Sequence, residues 1–403
     1  MFVAELDLTD FRSYEKSNIS FAPGITALIG PNGVGKTNLV EAIYYAATLN
    51  SHRVSSKVPL IKSGAERAII RLRARNDQRT SIIELDIPQS GSGRARINGG
   101  QVIPIGQTRG IIRTIMFSPE DIGIAKGEPE TRRRFLDELV LQARPALAGY
   151  YRDYEQVLRQ RNAYLKNARQ LGNPSDGVLD ILTEQLIEFG TEISVARLLV
   201  TKTLQPLVTK HYQQIADANT ALTLEITQGS SDAALPVDVS ISELLGADEQ
   251  AEAQVKTELR SAYVQQFQSK QAGELARGYT LVGPHRDDLA LALDGLPAKG
   301  YASHGESWSL ALALKLAAFD YLAAQYANFA PPDASIVAES SERSHQPILI
   351  LDDVFAELDE KRRASLSAAI ESIEQVLITS AVASDIPKAL DVQVRTVAKG
   401  SVT

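Results

Sequence analysis

The sequence predicts an α/β protein in which a sheet domain is interrupted by a mostly helical insertion. Three observations predict this fold class. A phosphate-binding loop lies early in the chain at residues 30–37, and an apolar strand that ends in two acids lies late at residues 347–353. Between them run long stretches of helical periodicity. We place the first part of the sheet domain at residues 1–128, the insertion at 129–273 and the second part at 274–403.

The phosphate-binding loop follows the G-x-x-x-x-G-K-[ST] pattern, between a predicted buried strand at residues 25–29 and a predicted helix. Its residues are Gly30, Pro31, Asn32, Gly33, Val34, Gly35, Lys36 and Thr37, and we add the adjoining Asn38 to the predicted nucleotide site. The glycines let successive backbone N–H groups turn towards phosphate oxygens at the positive end of the helix. We expect Lys36 to reach the β- and γ-phosphates and the Thr37 hydroxyl to bind Mg2+.

The acidic strand, Pro-Ile-Leu-Ile-Leu-Asp-Asp at residues 347–353, is apolar until its last two positions. Such a run predicts a buried parallel strand, and ligands bind at the carboxyl ends of parallel strands. We expect Asp352 to bind Mg2+ through water and Asp353 to orient or deprotonate the water that attacks ATP.

Two further residues are candidates for the same site. Glu120, or its neighbour Asp121, in a helix start at residues 118–121, is a candidate for positioning Mg2+ or water, although an acid at a helix start needs no such role. Arg12, in the turn at residues 11–14, is a candidate for adding positive charge at the nucleotide; a surface turn arginine is the alternative.

The composition limits the possible classes of function. The chain has 403 residues, of which 44% are hydrophobic and 23% charged, as is typical of globular proteins. It has no cysteine, which excludes disulfides, thiolate zinc sites and cysteine nucleophiles. Because the sequence has no apolar run of about 18 residues, we expect a cytoplasmic protein without a membrane partner. The net charge of -7 means that any DNA contact must come from a local patch.

Two groups of arginines are candidates for such a patch. Arg71, Arg73 and Arg75 recur at every second position, which places their side chains on one face of a predicted strand, about 7 Å apart. A row at that spacing could follow a phosphate backbone, although a solvated sheet face has the same pattern. The other group lies near residues 132–134, in a basic helical stretch for which a solvated helix face is the alternative. The sequence cannot choose between the two groups; our hypothesis is that the strand row contacts duplex DNA.

The order of these motifs resembles that of the ABC-type ATPases of the SMC and Rad50 group, and within it the RecF family of bacterial recombination mediators. The resemblance extends over essentially the whole chain. It rests on residues 8–14, 30–37, 119–137, 283–288 and 351–359. By this resemblance Ser303 and Gly305 belong to a signature loop that contacts the γ-phosphate of ATP on a second subunit, and Asp359 lies across that interface.

The resemblance implies an ABC-ATPase-like head, built from a phosphate-loop NTPase sheet and an antiparallel β subdomain, with an inserted helical arm. It implies ATP and Mg2+ as cofactors, an ATP-dependent homodimer and a weak, DNA-stimulated ATPase. The implied role is in DNA replication and recombinational repair, on duplex DNA beside single-stranded gaps, where the protein helps RecO and RecR to load RecA and supports the SOS response. A transporter ATPase subunit and a structural SMC-like protein are rival classes, which the insertion disfavours.

Three positions depart from the pattern that the resemblance implies. Glu306 stands where the signature often has glutamine, which puts a carboxylate near phosphate unless the side chain points away. Asp353 stands where many ABC ATPases have glutamate, and its shorter reach predicts slow turnover. No histidine follows residues 376–379, which leaves Thr379 or Ser380 as substitutes for the switch residue of transporters.

Overall fold

The bounds of the strands and helices come from a computed structural model, which describes residues 1–76, 79–171, 177–216, 219–228, 233–234, 249–328 and 346–402. The strands are β1 Phe2–Phe11, β2 Tyr14–Ser20, β3 Gly24–Ile29, β4 Arg67–Asn76, β5 Arg79–Pro88, β6 Arg94–Ile97, β7 Ile103–Pro104, β8 Thr114–Phe117, β9 Leu222–Gln228, β10 Ala233–Ala234, β11 Asp288–Leu293, β12 Leu296–Pro297, β13 Ile348–Asp352, β14 Gln375–Ser380, β15 Val392–Ala398 and β16 Ser401–Val402. The α-helices are α1 Lys36–Thr48, α2 Gly123–Lys126, α3 Pro129–Ala143, α4 Ala148–Leu171, α5 Val178–Ala216, α6 Glu249–Arg277, α7 Ala298–Tyr301, α8 His304–Asn328 and α9 Glu360–Ile370.

A mostly parallel sheet forms the centre of the nucleotide-binding part, with the strand order β16-β15-β3-β14-β13-β8. All neighbours in it pair in parallel except β15 and β16. Every residue of β13 and β14 is buried, which explains their nearly continuous apolar sequences. Strands β3, β14 and β13 are neighbours and run parallel, so their carboxyl ends lie on the same side of the sheet. The loop that follows β3 and the acids that end β13 are therefore close together.

A second six-stranded sheet, with the order β2-β1-β4-β5-β6-β7, is antiparallel throughout. Its strands alternate buried apolar residues with exposed or half-buried polar ones. In β4, for example, Ile70 and Leu72 are fully buried, whereas Arg71 is exposed. The period of two therefore gives this sheet one core face, which packs on α1, and one polar face.

The chain separates into two compact units by its contacts, one made of residues 1–122, 207–219 and 303–403 and the other of residues 123–206 and 220–302. The first unit contains both six-stranded sheets. The second contains most of the helices and a four-stranded sheet of order β10-β9-β11-β12. The chain thus passes from one unit to the other after residues 122, 206, 219 and 302, whereas the sequence analysis divides it after 128 and 273. The functional domain boundaries stay a prediction.

None of the described helices is long and apolar enough to span a bilayer.

A buried ion pair joins two helices within the second unit. Arg161 on α4 and Glu274 on α6 have side chains that are 1% and 0% exposed, with Nη2 and Oε2 2.7 Å apart. The same guanidinium donates to the hydroxyls of Thr280 at 2.9 Å and Thr183 at 3.0 Å, and it lies 4.9 Å from the centre of the Phe267 ring. The charge of Arg161 is therefore paired with the Glu274 carboxylate inside this unit.

The turn at residues 283–288 places two titratable groups in the interior of the second unit. Burial raises the pKa of Asp287 to about 7, against the opposing attraction of Arg197 and Arg133. Burial also lowers the pKa of His285 to about 4. The Nδ1 atom of that ring lies 2.6 Å from the hydroxyl of Tyr154. The two shifts have opposite consequences for the dependence of stability on pH.

Asp287→Asn is expected to gain stability relative to the wild type as the pH rises from about 4 to about 7. A carboxyl whose pKa is raised by folding stabilises the fold most at low pH, and this contribution disappears as the pH rises through the folded pKa. The lowered pKa of His285 has the opposite effect: the wild type gains stability as the pH rises from about 4 to 6.5, because the folded state holds the neutral ring. His285→Gln lacks this gain and should therefore lose stability relative to the wild type as the pH rises over that range. Denaturant unfolding across this range measures both. Three parallel curves of stability against pH would contradict the prediction.

Candidate nucleotide-binding site

The phosphate-binding loop connects β3 to α1, and two of its glycines are required by the geometry. Gly35 has a φ of 112° in the left-handed region, and a Cβ there would lie 2.8 Å from the hydroxyl of Tyr14. At Gly30 a Cβ would lie 2.3 Å from the carbonyl oxygen of Val397 on the neighbouring strand. The approach of Gly35 to the Tyr14 side chain and of Gly30 to the Val397 backbone therefore depends on the absence of a Cβ, as a phosphate cradle requires.

Lys36, the first residue of α1, has its ammonium inside the curl of the loop. Its Nζ donates to the carbonyl oxygens of Gly30 at 2.8 Å and Pro31 at 3.2 Å, and lies 3.4 Å from Oδ1 of Asn32. The residue is only 4% exposed. A cation held at the amino end of a helix suits a phosphate group.

The end of β13 meets the start of α1 through a hydrogen-bonded carboxylate. Oδ1 of Asp352 accepts the hydroxyl protons of Thr37 at 3.0 Å and of Thr379 at 2.5 Å. Burial raises the pKa of Asp352 to about 6, as does the charge of Asp353, whereas the two hydroxyl bonds oppose the shift. Residues 315 positions apart in sequence are thus brought together.

This donor set fits Mg2+. A threonine hydroxyl and a carboxylate are the hard oxygen ligands that Mg2+ prefers. Among the described residues, no group of three or more His, Asp or Glu side chains converges on a common point. Thr37 and Asp352 would therefore hold an ion that keeps waters and phosphate oxygens as its other ligands, as Mg2+ usually does beside a nucleotide.

Asp353 follows the strand in an uncommon backbone conformation. Its φ is 54°, in the left-handed region that few residues other than glycine adopt. Its N–H donates to the Thr379 hydroxyl at 3.0 Å and to the Thr379 carbonyl at 3.2 Å, so that β14 holds the strained residue in place. Strained residues of this kind cluster at functional sites. Thr379, which the sequence analysis considers a substitute for a switch histidine, bonds both acids.

Glu120 and Arg12, the two further candidates, have different surroundings. Glu120 is exposed in a short 3-10 turn, Pro119–Ile122, and its charge contributes to the raised pKa of Asp352. The guanidinium of Arg12 bonds both carboxylate oxygens of the buried Glu41 on α1, at 2.8 and 2.6 Å. The charge of Arg12 is therefore already paired with a carboxylate. Its contact with a nucleotide stays a prediction.

The signature loop begins helix α8 with a capping box. The N–H of Ser303 donates to Oε2 of Glu306 at 2.8 Å, and the N–H of Glu306 donates to Oγ of Ser303 at 3.2 Å. These bonds lower the pKa of Glu306. The carboxylate is therefore turned back to the helix start, where a negative charge is favourable. The capping role explains a glutamate at this position.

Gly305 and Asp359 are linked by an arginine that the sequence analysis does not single out. A Cβ at Gly305 would lie 2.6 Å from Nη2 of Arg362. The Arg362 guanidinium pairs with the carboxylate of Asp359 and also donates to the Ser309 hydroxyl at 2.9 Å. Asp359 in turn caps α9 by accepting the N–H of Arg362 at 2.8 Å. No motif marks such an arginine. One of its partners, Asp359, lies about one helical turn away, and the other, Ser309, lies 53 residues away in the sequence.

Helix α1 and the loop that follows it contribute two further contacts. Asn38, which the sequence analysis places in the nucleotide site, donates from Nδ2 to the Ser13 hydroxyl at 2.9 Å. His52 lies beside Asp352, with Nε2 3.8 Å from Oδ2. Sequence reasoning missed His52 because a single histidine in a loop has neither periodicity nor a motif.

The arginine row lies on the polar face of the antiparallel sheet. Arg71 and Arg75 are exposed and Arg73 is half-buried. The row is flanked by acids on both neighbouring strands: Asp7 and Glu84 lie opposite Arg71, and Glu5 pairs with Arg73 at 3.2 Å. These cross-strand neighbours partly neutralise the row.

The rival arginines of the second unit are mostly engaged within it. Arg132 is 4% exposed and bonds both carboxylate oxygens of Asp288 at 2.7 Å. Arg133 donates to the carbonyl oxygen of Asp287 at 2.7 Å. Of these three side chains, Arg132 is buried, Arg133 is half-buried and Arg134 is the exposed one.

Comparisons with known proteins agree with this geometry. The sequence profile of the family described as RecF/RecN/SMC N terminal domain matches residues 2–402. The chain is 44% identical over 407 residues to the DNA replication and repair protein RecF of Streptomyces avermitilis, with 100% of this chain and 99% of the relative covered. The protein of the same name from Beutenbergia cavernae is 42% identical over 408 residues, with 97% and 96% covered.

A solved structure described as the recombination mediator protein RecF-ATP in the RecFOR pathway has a TM-score of 0.81 and 26% identity, with 100% of this chain and 97% of that chain covered. The resemblance predicted from the motifs and the ABC-ATPase-like fold class are both confirmed. The chain belongs to the RecF family, within the wider group described by the RecF/RecN/SMC N terminal domain.

Proposed function

We propose that this chain binds ATP with Mg2+ between the phosphate-binding loop and the acidic strand, and that it uses slow ATP hydrolysis as a switch in DNA replication and recombinational repair. The hydrogen bond of 3.0 Å between Thr37 and Asp352 carries this proposal, because it joins the two halves of the nucleotide site. The names of the relatives and the ATP-bound structure of a similar protein support it further.

Each residue at the site has a proposed role. Lys36 binds the β- and γ-phosphates, Thr37 and Asp352 hold Mg2+, and Glu120 adds negative charge beside them. When bound, Mg2+ would neutralise part of the phosphate charge. Asp353 orients the attacking water, and its short side chain accounts for slow turnover.

The proposed switch is an ATP-dependent homodimer. Ser303 and Asp359 are exposed and Gly305 is half-buried, so a second copy can approach this surface. In the proposed dimer Ser303 and Gly305 contact the γ-phosphate bound by the partner, and Asp359 lies across the interface. ATP then favours the closed dimer because it contacts both copies, and hydrolysis removes the bridging group.

The dimer proposal is tested by size-exclusion chromatography with light scattering, at saturating ATP and at saturating ADP, each with and without duplex DNA. We expect a dimer with ATP and a monomer with ADP. We also expect Asp353→Asn to remain dimeric with ATP, because the variant keeps every proposed phosphate contact. Its hydrolysis rate should fall at least about tenfold, because the amide cannot act as a base towards the attacking water. A wild-type protein that stays monomeric with ATP and DNA would contradict the dimer proposal.

The proposed DNA partner is duplex beside single-stranded gaps, at which the chain would act in the cytoplasm with RecO and RecR to load RecA and support the SOS response. The contact surface in this proposal is the row Arg71, Arg73 and Arg75. The engagement of Arg132 and Arg133 inside the second unit favours the row over the rival group.

Replacing Arg71, Arg73 and Arg75 with alanine is expected to weaken ATP-dependent binding to gapped duplex about tenfold or more at low salt and to flatten its salt dependence, since each lost phosphate contact reduces the slope by about one. Fluorescence anisotropy with gapped and intact duplex, with ATP and with ADP, measures the effect. The matched controls are Arg134→Ala, which tests the rival group, and the exposed Arg159→Ala. Unchanged affinity of the triple variant would refute the assignment of the row.

A further inference from the structure

His52 lies beside the proposed Mg2+ site, and none of the roles above involves it. The two oxygens of Asp352 have different partners: Oδ1 accepts the hydroxyl bonds of Thr37 and Thr379, whereas Oδ2 lies 3.8 Å from Nε2 of His52. The imidazole therefore faces the carboxylate oxygen that the threonines leave available.

Both ring nitrogens of His52 are buried without a hydrogen-bond partner among the described residues. A neutral imidazole ring has one N–H donor and one acceptor to satisfy. Buried polar atoms without protein partners occur at functional sites, where a water or an ion completes their bonds.

The position of His52 is fixed from both sides. The preceding Ser51 donates its hydroxyl to Oε1 of the buried Glu41 at 2.6 Å and accepts the N–H groups of Arg53 and Val54 at 3.1 and 3.2 Å. The imidazole meets the ring of Tyr44 edge-on, with centroids 6.0 Å apart. The ring is thus held in place by α1, as a positioning residue needs to be.

The charges around the ring indicate which ligand it would share with Asp352. Glu41, Glu120 and Asp121 act on the imidazole as negative charges, and Arg53 acts as a positive one. Glu41 is already paired with Arg12, and Asp121 with Lys315 at 2.8 Å. A phosphate oxygen is disfavoured beside the carboxylates of Asp352 and Glu120, whereas the water shell of a divalent cation is favoured there.

We propose that His52 is a positioning residue for Mg2+, in which Nε2 of His52 and Oδ2 of Asp352 together hold one water of the hydrated ion. A separation of 3.8 Å is too long for a direct hydrogen bond and suits two groups that bond the same water. Partners in the outer shell of a metal orient its ligands in this way. The inference rests on the proposed function, since it concerns the same nucleotide site.

The test measures the affinity of the full chain for a fluorescent ATP analogue, with excess Mg2+ and with EDTA. We expect His52→Phe, which keeps a ring but loses both nitrogens, to lower the affinity with Mg2+ about tenfold and to leave the affinity with EDTA unchanged. His52→Gln retains a nitrogen donor at a similar reach and should stay within about threefold of the wild type in both conditions.

Each other outcome has a defined meaning. Unchanged affinity of His52→Phe with Mg2+ would overturn the inference. Equal losses with Mg2+ and with EDTA would also overturn it, because they would show a structural role, as would a glutamine variant that behaves like the phenylalanine variant. A wild-type protein that binds no ATP, or binds it equally with and without Mg2+, would refute the proposed nucleotide site itself.

Discussion

Lys36→Ala is expected to lose ATP binding, with an affinity lowered about a hundredfold or more, and to remain monomeric at ATP concentrations that saturate the wild type. The ammonium of Lys36 is the buried cation inside the phosphate-binding loop, bonded to the carbonyl oxygens of Gly30 and Pro31. Each charge-assisted hydrogen bond to a phosphate contributes about 1.5–3 kcal/mol, and this lysine is proposed to make two. Isothermal titration calorimetry and light scattering measure the two losses.

Two controls separate this loss from a general effect. Lys62→Ala removes a lysine of the same unit that is paired at the surface with Glu15, and it should bind ATP as the wild type does. Asp353→Asn should bind ATP and form the dimer. If Lys36→Ala dimerised with ATP as the wild type does, the phosphate-binding loop would not be the source of the dimerisation signal.

Arg161→Ala is expected to lower the free energy of unfolding of the second unit by about 3–5 kcal/mol. The substitution leaves Glu274, which is fully buried, without its charged partner, and it removes the donors that bond Thr183 and Thr280. A buried carboxylate without a partner is far more costly than the loss of a surface contact. Urea unfolding, followed by circular dichroism and by hydrogen exchange in the second unit, measures the change.

The matched control lies two residues away on the same helix. Arg159 pairs with Glu155 one turn away, and both side chains are mostly exposed. Arg159→Ala should therefore change the stability by less than about 0.5 kcal/mol. The double variant Arg161→Leu with Glu274→Leu should recover much of the loss, because it removes the uncompensated charge. Similar small effects of Arg161→Ala and Arg159→Ala would contradict a buried ion pair.

The parts of the site that the sequence predicts are those with a local pattern. The phosphate-binding loop is specified by eight consecutive residues, and β13 by an unbroken apolar run before its acids. The period of two in β4 likewise places Arg71, Arg73 and Arg75 on one face. In each case spacing along the chain determines the geometry, so that no knowledge of distant residues is needed.

The contacts that sequence reasoning did not predict join residues without a common pattern. Arg12 bonds Glu41, which is 29 positions away, and Arg362 bonds Ser309, which is 53 positions away. His52 reaches Asp352 only because the parallel sheet brings the end of β13 beside α1. Such pairs depend on the packing of whole elements, which a single sequence does not specify residue by residue.

One arginine has a mechanical consequence for the surface on which dimerisation is proposed. Arg362 packs against Gly305 at the start of α8 and is paired with Asp359 at the start of α9. The beginnings of these two helices are thereby linked by one side chain. A docking partner would meet both helix starts at a preset spacing, and it would not have to spend binding energy on bringing them into register.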